Sequence, residues 1–446
     1  AYDPEPFPWS TMLSVHESRH VTQMQFGLTQ RHKPGKWFLG EGWNIITFLL
    51  YPGIAQSEGD AVVIETALTP SGRGRTADFL NYYWVAFDNG NHKGWFKWRY
   101  SSQKSFTPTY YALAYLGIGG FRYVYDYPEF VSEALHTSAS HPLKVGAIYK
   151  ANKRITGQKW NDTWMEVSGK IFDIWKADAD LRAPYIPSER VLPETSRYTY
   201  YSGNLIVGTD IYAIKQGHVD APTLVRIDSA GIEHKLRSFA YGTSGLRYDS
   251  DADRIYWSEN IPDERWSLQS GSAVRYLDAD GKTHTVRKDQ LLYNPSSSSG
   301  KTAVARYHTD GHSSLEILDG ADGKTLKSIA APDSLQLVET AWLGEHIYVT
   351  AISDNGYGIY AADMEEGTLL NVLGPQPVMI KDFGTYGNEL IFACDRTGVH
   401  ELYHFDPSSG ELRQRTSTRY GAYDFQYSED DKYLYFSSQT IMGKHL

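Results

Sequence analysis

The sequence predicts a multidomain α and β fold, with a mainly helical domain over residues 1–185 and an all-β propeller over residues 186–446. Up to about residue 180, apolar residues recur with the spacing of amphipathic helices. After Pro187 the pattern changes to short strand-like runs bounded by Gly, Asp and Asn. These runs recur with a period in the forties, which is typical of propeller blades.

Composition excludes several classes of protein. The 446 residues carry a net charge of −10 without any basic block, which argues against a nucleic-acid partner. The single cysteine, Cys394, excludes an intramolecular disulfide and a cysteine-based metal site. No apolar run reaches the roughly 18 residues that a membrane span needs. Because the chain begins at Ala1 and stops after a strand-like run, we expect a fragment of a longer protein.

The first predicted helix contains the motif His16-Glu17-x-x-His20. Residues four apart lie on one face of a helix, so both imidazoles can bind one metal ion. Glu17 lies one step round from His16, where a carboxylate can accept a proton from a water on that ion. The motif therefore predicts one Zn²⁺ per chain, with Glu17 as the general base.

A mononuclear zinc site needs a third protein ligand. His32 is disfavoured, because the pattern that uses a third histidine requires Gly at position 23 and His at position 26. Glu41 lies 21 residues beyond His20, near the spacing of compact zinc aminopeptidases. Glu58 lies 38 residues beyond His20, and both glutamates remain candidates on spacing alone.

The surroundings of Glu58 add to its case. Ser57 and Asp60 form a capping-box pattern, which predicts a helix from Glu58 to about Leu68. Glu65 lies seven residues after Glu58, on the same helical face and two turns deeper. There it can accept the second N–H of a ligand histidine, as an outer-shell partner that fixes the imidazole.

Other polar residues are candidates for contacts with a substrate. Arg73 and Arg75 lie in a glycine-flanked loop, where they can hold a substrate carboxylate or pair with the acidic helix before them. Four tyrosines are candidates for stabilising an oxyanion, and packing is the alternative role for each: Tyr110, Tyr111, Tyr115 and Tyr123.

The second half contains a loose repeat. Similar strand-like runs begin at spacings of 48, 44, 43 and 44 residues, at Arg254, Thr302, His346, Glu389 and Tyr433. One more copy fits at Leu205, which predicts about five to six blades. The last run breaks off near Leu446, so the propeller is expected to be incomplete at its C-terminus and to expose an unpaired edge.

Two blocks of sequence resemble a known family. His-Glu-x-Arg-His-x-x-Gln from His16, then Glu-Gly-Asp-Ala-Val-x-x-Glu-Thr-Ala-Leu-Thr from Glu58, resemble the gluzincin metallopeptidases of the aminopeptidase branch. With Gly-Arg-Gly-Arg from Gly72 and a propeller behind them, they look like Bacteroidetes envelope proteins that join a peptidase-like domain to a TolB-like propeller. The stretch between His20 and Glu58 is longer than in compact aminopeptidases, so Glu41 remains a candidate for the third ligand.

The resemblance implies a function and a location. It implies Zn²⁺ held by His16, His20 and Glu58, hydrolysis of a peptide or protein substrate, and Glu17 as the base. It also implies a periplasmic, outer-membrane-associated or secreted protein. The alternative is an inactive peptidase-like scaffold whose propeller binds a protein or polysaccharide partner.

Overall fold

A computed structural model describes residues 5–25, 29–49, 53–70, 72–100, 102, 104–141, 145–239, 242–266 and 269–446. The chain divides into two compact units. One comprises Trp9–Arg182, and the other comprises Ala183–Leu446 together with the N-terminal residues up to Pro8. The predicted change of character after residue 185 therefore lies close to the division between the units.

The first unit is helical. Its described residues form ten α-helices: α1 (Trp9–Gln25), α2 (Lys33–Leu39), α3 (Glu41–Phe48), α4 (Ile54–Leu68), α5 (Ala77–Asp88), α6 (Trp95–Arg99), α7 (Tyr110–Tyr125), α8 (Phe130–Ser140), α9 (Ala147–Thr156) and α10 (Trp160–Arg182). The prediction of a mainly helical first domain is confirmed. Among these helices, none combines the length and apolarity needed to cross a bilayer.

Helix α4 lies at the centre of this unit, packed against both α1 and α7. Gly59 allows the close approach of α7, since a Cβ there would lie 2.4 Å from the carbonyl carbon of Ala114. Ala61 and Val62 are completely buried beside it. A substitution at Gly59 would push α7 away, so the small residue fixes the position of the neighbouring Glu58.

The predicted start of α4 is wrong. The helix begins at Ile54, after Gly53 with φ of 107°, and not at Glu58. Ser57 and Asp60 are fully buried within the helix, so neither caps it. Asp60 instead accepts hydrogen bonds from side chains of other helices, and this tertiary role accounts for the residue types that resemble a capping box.

The second unit consists of strands: β1 (Thr199–Val207), β2 (Asp210–Gly217), β3 (Thr223–Ile227), β4 (Glu233–Ser238), β5 (Arg247–Asp249), β6 (Arg254–Pro262), β7 (Ser270–Leu277), β8 (Thr283–Ser298), β9 (Lys301–Tyr307), β10 (Ser313–Asp319), β11 (Thr325–Ala330), β12 (Gln336–Leu343), β13 (His346–Ser353), β14 (Gly356–Asp363), β15 (Thr368–Gln376), β16 (Ile380–Tyr386), β17 (Glu389–Cys394), β18 (Glu401–Asp406), β19 (Glu411–Gln414), β20 (Tyr423–Tyr427), β21 (Leu434–Thr440) and β22 (Gly443–His445).

These strands form the β-propeller predicted from the repeat. Among the described residues there are four sheets: β12 to β15, β16 to β19, and two of seven strands, in the orders β20-β21-β22-β1-β2-β3-β4 and β11-β10-β9-β8-β7-β6-β5. The long strand β8 pairs with β7 through its first half and with β9 through its second, so one seven-stranded sheet contains two antiparallel meanders. Counted as meanders, the described strands of this unit form six repeats.

Apolar side chains fill the spaces between successive sheets. Tyr357 and Ile359 of β14 pack with Phe383 of β16 and Leu390 of β17, and all four are fully buried. Such strands are apolar on both faces because each sheet is covered on both sides. This burial on both faces explains why the strands read as short apolar runs in the sequence.

Carboxylates of the first strand in a meander bind the next meander. The backbone N–H of Phe383 donates to Glu339, the N–H of Asp424 donates to Asp382 at 3.0 Å, and that of Gly203 donates to Asp424 at 2.8 Å. Asp382 and Asp424 have φ of 55° and 51°, a region that Asp tolerates better than most residues. These bonds fix the order of the sheets from β12 through β16 and β20 to β1.

Two details of the predicted propeller are wrong. The repeat copy assigned to Leu205 falls at the end of β1, whereas the equivalent second strand of that meander is β2, beginning at Asp210. The last strand is also not an exposed edge, because β22 pairs with β21 on one side and, in parallel, with β1 on the other. The pairing of Thr199 with Gly443 closes the sheet that was expected to be open.

Leu390→Ala tests the packing between sheets. The side chain is fully buried, so its truncation should leave a cavity and lower the free energy of unfolding of the propeller by about 2–5 kcal/mol. Leu370→Ala is the matched control, since Leu370 of β15 is 53% exposed and its loss should cost under about 0.5 kcal/mol. Urea denaturation followed by circular dichroism measures both, and equal losses would contradict the predicted packing.

Candidate metal centre

Helices α1 and α4 bring three polar side chains to one point. The Nε2 atoms of His16 and His20 lie 3.1 Å apart, and Glu58 Oε2 lies 3.0 Å from the first and 3.2 Å from the second. In the part of the chain that the structure describes, this is the one group of three His, Cys, Asp or Glu side chains arranged to hold a metal ion. All three side chains are largely buried.

The second nitrogen of each imidazole has a fixed acceptor. His16 Nδ1 lies 2.7 Å from Glu65 Oε2, and Glu65 is fully buried. His20 Nδ1 lies 2.9 Å from the side-chain oxygen Oε1 of Gln23, whose side-chain nitrogen Nε2 donates to other groups. Each Nδ1 must therefore carry a hydrogen. In the neutral imidazoles the two Nε2 lone pairs then face each other and the Glu58 carboxylate.

This arrangement fits a zinc ion. Ligands about 2.0–2.1 Å from a tetrahedral zinc lie about 3.3 Å from one another, and the three donor atoms are within a few tenths of an ångström of that separation. Two imidazoles and a carboxylate are also the donor set of many catalytic zinc sites, which leave a fourth position open. Three facing lone pairs repel one another unless a cation or protons lie between them.

Protons occupy this role when no metal is bound. Burial lowers the pKa of His16, but hydrogen bonds to Glu58 and Glu65 outweigh it and raise this pKa to about 9. The pKa of His20 is also raised, because its bonds to Glu58 and Gln23 outweigh burial. Burial raises the pKa of Glu58, yet the two histidines hold it at about 2. A metal ion therefore has to displace protons from the imidazoles.

Glu65 connects the cluster to the predicted arginine loop. Arg73 binds this carboxylate through two nitrogens, with Nε 2.6 Å from Oε1 and Nη2 2.8 Å from Oε2. Arg73 therefore forms the ion pair with the acidic helix that the sequence offered as an alternative to substrate binding. Arg75 donates to the carbonyl oxygen of Thr69 at 3.2 Å. Its predicted contact with a substrate carboxylate stays a prediction.

Asp60 makes a second buried network that the sequence did not indicate as part of the site. One oxygen accepts from Arg19 at 2.6 Å and from Gln23 at 2.8 Å, and the other accepts from Arg122 of α7 at 2.6 Å. Because Gln23 also binds His20, Asp60 orients that imidazole indirectly. The spacing of Gln23, three residues after His20, was the available signal for this contact.

The two rejected or competing ligands lie elsewhere. His32 is buried, accepts from the indole N–H of Trp43 at 3.0 Å and lies 3.2 Å from the Ser138 carbonyl oxygen. Glu41 is exposed at the start of α3, where it pairs with Lys36 at 3.2 Å. Neither residue belongs to the cluster, so Glu58 is the carboxylate that the fold brings to the two histidines.

Glu17 and Tyr111 are the remaining polar groups of interest. Glu17 is exposed, one residue beyond His16, and its carboxylate makes no hydrogen bond or ion pair with the described residues. The Tyr111 ring lies 6.3 Å from the His16 ring, and Arg73 lies 5.5 Å from its centre. Burial and the nearby charge of Glu58 raise the pKa of Tyr111. This phenol stays protonated and can donate.

The other candidate tyrosines serve packing or lie exposed. Tyr110 stacks on Tyr111 with ring centres 4.8 Å apart, and Tyr115 packs edge-on against Phe79. Tyr123 is 68% exposed. Sequence alone could not separate Tyr111 from these residues, because all of them lie on or beside one helix.

No family model and no curated protein matches this chain. Among solved structures, TolB from Acinetobacter baumannii aligns with a TM-score of 0.40 and 13% identity over 69% of this chain and 64% of its own. A puromycin-hydrolyzing peptidase of Mycobacterium tuberculosis aligns with a TM-score of 0.38 and 15% identity over 49% of this chain. The chain spans 38% of the length of that peptidase and 64% of the length of TolB, which is less than two thirds of each protein.

The propeller domain of the Trilobed protease from Pyrococcus furiosus aligns with a TM-score of 0.36 and 11% identity, over 55% of this chain and 92% of its own. All three TM-scores lie below 0.5. These likenesses therefore carry no argument about chemistry, and the case for a function rests on the side chains of the site.

Glu58→Gln tests the third ligand. The amide keeps the shape of the side chain but removes the negative oxygen that would bind the metal. Loss of a residue that only supports a ligand typically lowers metal affinity by about 10–100-fold, and the loss of zinc affinity here should be larger. Glu41→Gln is the matched control and should retain zinc as the wild type does, because Glu41 lies outside the cluster. Competition with a chelating dye measures both affinities. A larger loss for Glu41→Gln would move the site to α3.

Metal binding should also release protons. Because the pKa of His16 is about 9 in the metal-free site, zinc binding at pH 7 should displace at least one proton per ion. Apparent affinity should therefore rise with pH, by about tenfold per pH unit for each proton displaced, and level off above about pH 9. Calorimetry in buffers of different ionisation enthalpy counts the protons. Binding without proton release would contradict the assigned protonation of the site.

Proposed function

We propose that this chain is a zinc-dependent hydrolase of peptide bonds of the gluzincin type, with one Zn²⁺ held by His16, His20 and Glu58. The observation that carries the proposal is the convergence of two Nε2 atoms and one carboxylate oxygen within 3.2 Å, with both Nδ1 atoms engaged by acceptors. This is a preorganised set of lone pairs, and it is supported by the sequence resemblance of the two motif blocks.

A zinc ion bound there would act as a Lewis acid and would lower the pKa of a coordinated water towards about 7. The residues of this chain would supply the rest. The exposed carboxylate of Glu17 has no protein partner among the described residues, so it is available to accept a proton. Tyr111, whose ring lies 6.3 Å from the His16 ring, offers a hydroxyl that can donate to a developing oxyanion.

The outer partners keep the ligands in place. Glu65, neutralised by Arg73, holds the ring of His16, and Gln23, held by Asp60, holds the ring of His20. Fixed imidazoles lose little freedom when an ion binds, and they present the basic nitrogen to it. Asp60 and Glu65 are fully buried within about a turn and a half of α4 and together make three ion pairs with arginines. A role in orienting metal ligands would account for both carboxylates.

Glu17→Gln separates an enzyme from a scaffold. The amide cannot accept the proton, while His16, His20 and Glu58 remain unchanged, so zinc should stay bound. Peptide hydrolysis should fall by at least about 10²-fold, the usual effect of losing a general base. The measurement is cleavage of a mixed panel of unstructured peptides by mass spectrometry, with metal content determined in parallel.

One control variant accompanies this experiment. Ser18→Ala changes the next residue, also exposed, and should leave hydrolysis and zinc content as in the wild type. If the wild type and Glu17→Gln both hold zinc and are equally inactive across the panel, the hydrolase proposal fails. The alternative function is then a scaffold with a structural metal, whose propeller binds a protein or polysaccharide partner.

A further inference from the structure

Helices α2 and α3 present an unusual surface to solvent. Trp37 is 86% exposed and Phe38 is 79% exposed, although both are large apolar side chains. Four more apolar side chains of the same short segment are between 41% and 60% exposed: Leu39, Ile45, Ile46 and Leu49. We call these six residues the apolar patch. An exposed cluster of large apolar side chains usually marks a surface that binds an apolar partner.

The inner side of the same segment is anchored by polar contacts. The indole N–H of Trp43 donates to His32 Nδ1 at 3.0 Å. The other imidazole nitrogen, His32 Nε2, donates to the Ser138 carbonyl oxygen at 3.2 Å. Gly35 lies against the Trp43 ring, where a Cβ would come within 2.3 Å of it. The helical pair is therefore held in a defined position, and the apolar patch is a fixed outward surface.

The charge around the apolar patch is positive in an acidic protein. Residues 29–49 contain the cations Arg31, Lys33 and Lys36 and the single anion Glu41, whereas the whole chain has a net charge of −10. Arg31 and Lys33 are exposed, and Glu41 is partly neutralised by Lys36. A basic rim beside aromatic and aliphatic side chains complements an apolar medium with a negative surface.

We propose that the apolar patch inserts into the interfacial region of a phospholipid bilayer that contains anionic headgroups. Trp and Phe favour that region, and lysine side chains extend from it to the headgroup phosphates. Anionic lipid adds attraction for each nearby Lys or Arg. Interfaces between proteins are instead depleted in lysine, which disfavours a protein as the occupant of this surface.

Flotation of the full chain with lipid vesicles tests the proposal. Vesicles with about 30 mol% phosphatidylglycerol should bind the wild type, and vesicles of phosphatidylcholine alone should bind it several-fold less. Trp37→Ser/Phe38→Ser should lower the bound fraction at least tenfold, because the most exposed apolar side chains are lost. Lys33→Glu/Lys36→Glu should remove the preference for the anionic vesicles.

The control removes two exposed apolar side chains elsewhere. Val219 and Ile232 are 62% and 58% exposed, and Val219→Ser/Ile232→Ser should bind vesicles as the wild type does. Circular dichroism and zinc content should be unchanged in every variant, which separates this test from that of the hydrolase. The proposal is overturned if the wild type binds neither vesicle, or if Trp37→Ser/Phe38→Ser binds like the wild type. It is also overturned if light scattering finds a dimer that this variant dissociates, since the patch then joins two copies.

Discussion

Two buried carboxylates on one helix determine how the helical unit is arranged around its site. Asp60 and Glu65 of α4 are both fully buried, and an unpaired charge in such a place would cost several kcal/mol. Asp60 is neutralised by Arg19 of α1 and Arg122 of α7, and Glu65 by Arg73. These pairs fix the rotation of α1 against α4. The positions of the histidines relative to Glu58 follow from that rotation, so the candidate metal centre depends on residues that would never touch the ion.

Carboxylates of the propeller are also paired, with backbone N–H groups in addition to the cations Arg247 and Lys444. Carboxylates at the first strands of the meanders accept N–H groups from the following meander, as Asp382 does from Asp424. These bonds satisfy donors at irregular points of the strands, where the pairing register shifts. Apolar packing between sheets is non-directional, whereas these hydrogen bonds are specific. Together they hold the sheets in one order.

Features that depend on the spacing of nearby residues were predicted correctly from the sequence. Features that depend on contacts between residues far apart in the chain were not. The interval of four residues between His16 and His20 is a property of any helix, and the interval of seven between Glu58 and Glu65 led to the partner on His16 Nδ1. The Asp60 network depends on where α7 lies, which no local pattern encodes. Ser57 and Asp60 resembled a cap because a buried network and a helix terminus use the same short polar residues. Leu205 was misassigned because β1 and β2 are both apolar, and only the pairing tells them apart.

The parallel pairing of β22 with β1 has a consequence for biosynthesis. Thr199 has to find Gly443, a partner about 240 residues later in the chain, so β1 leaves the ribosome long before the strand that covers its open side. Contacts of such sequence separation form late and slowly, because the intervening loop must first be closed. During translation the emerging meander therefore exposes backbone donors and acceptors that other chains can pair with.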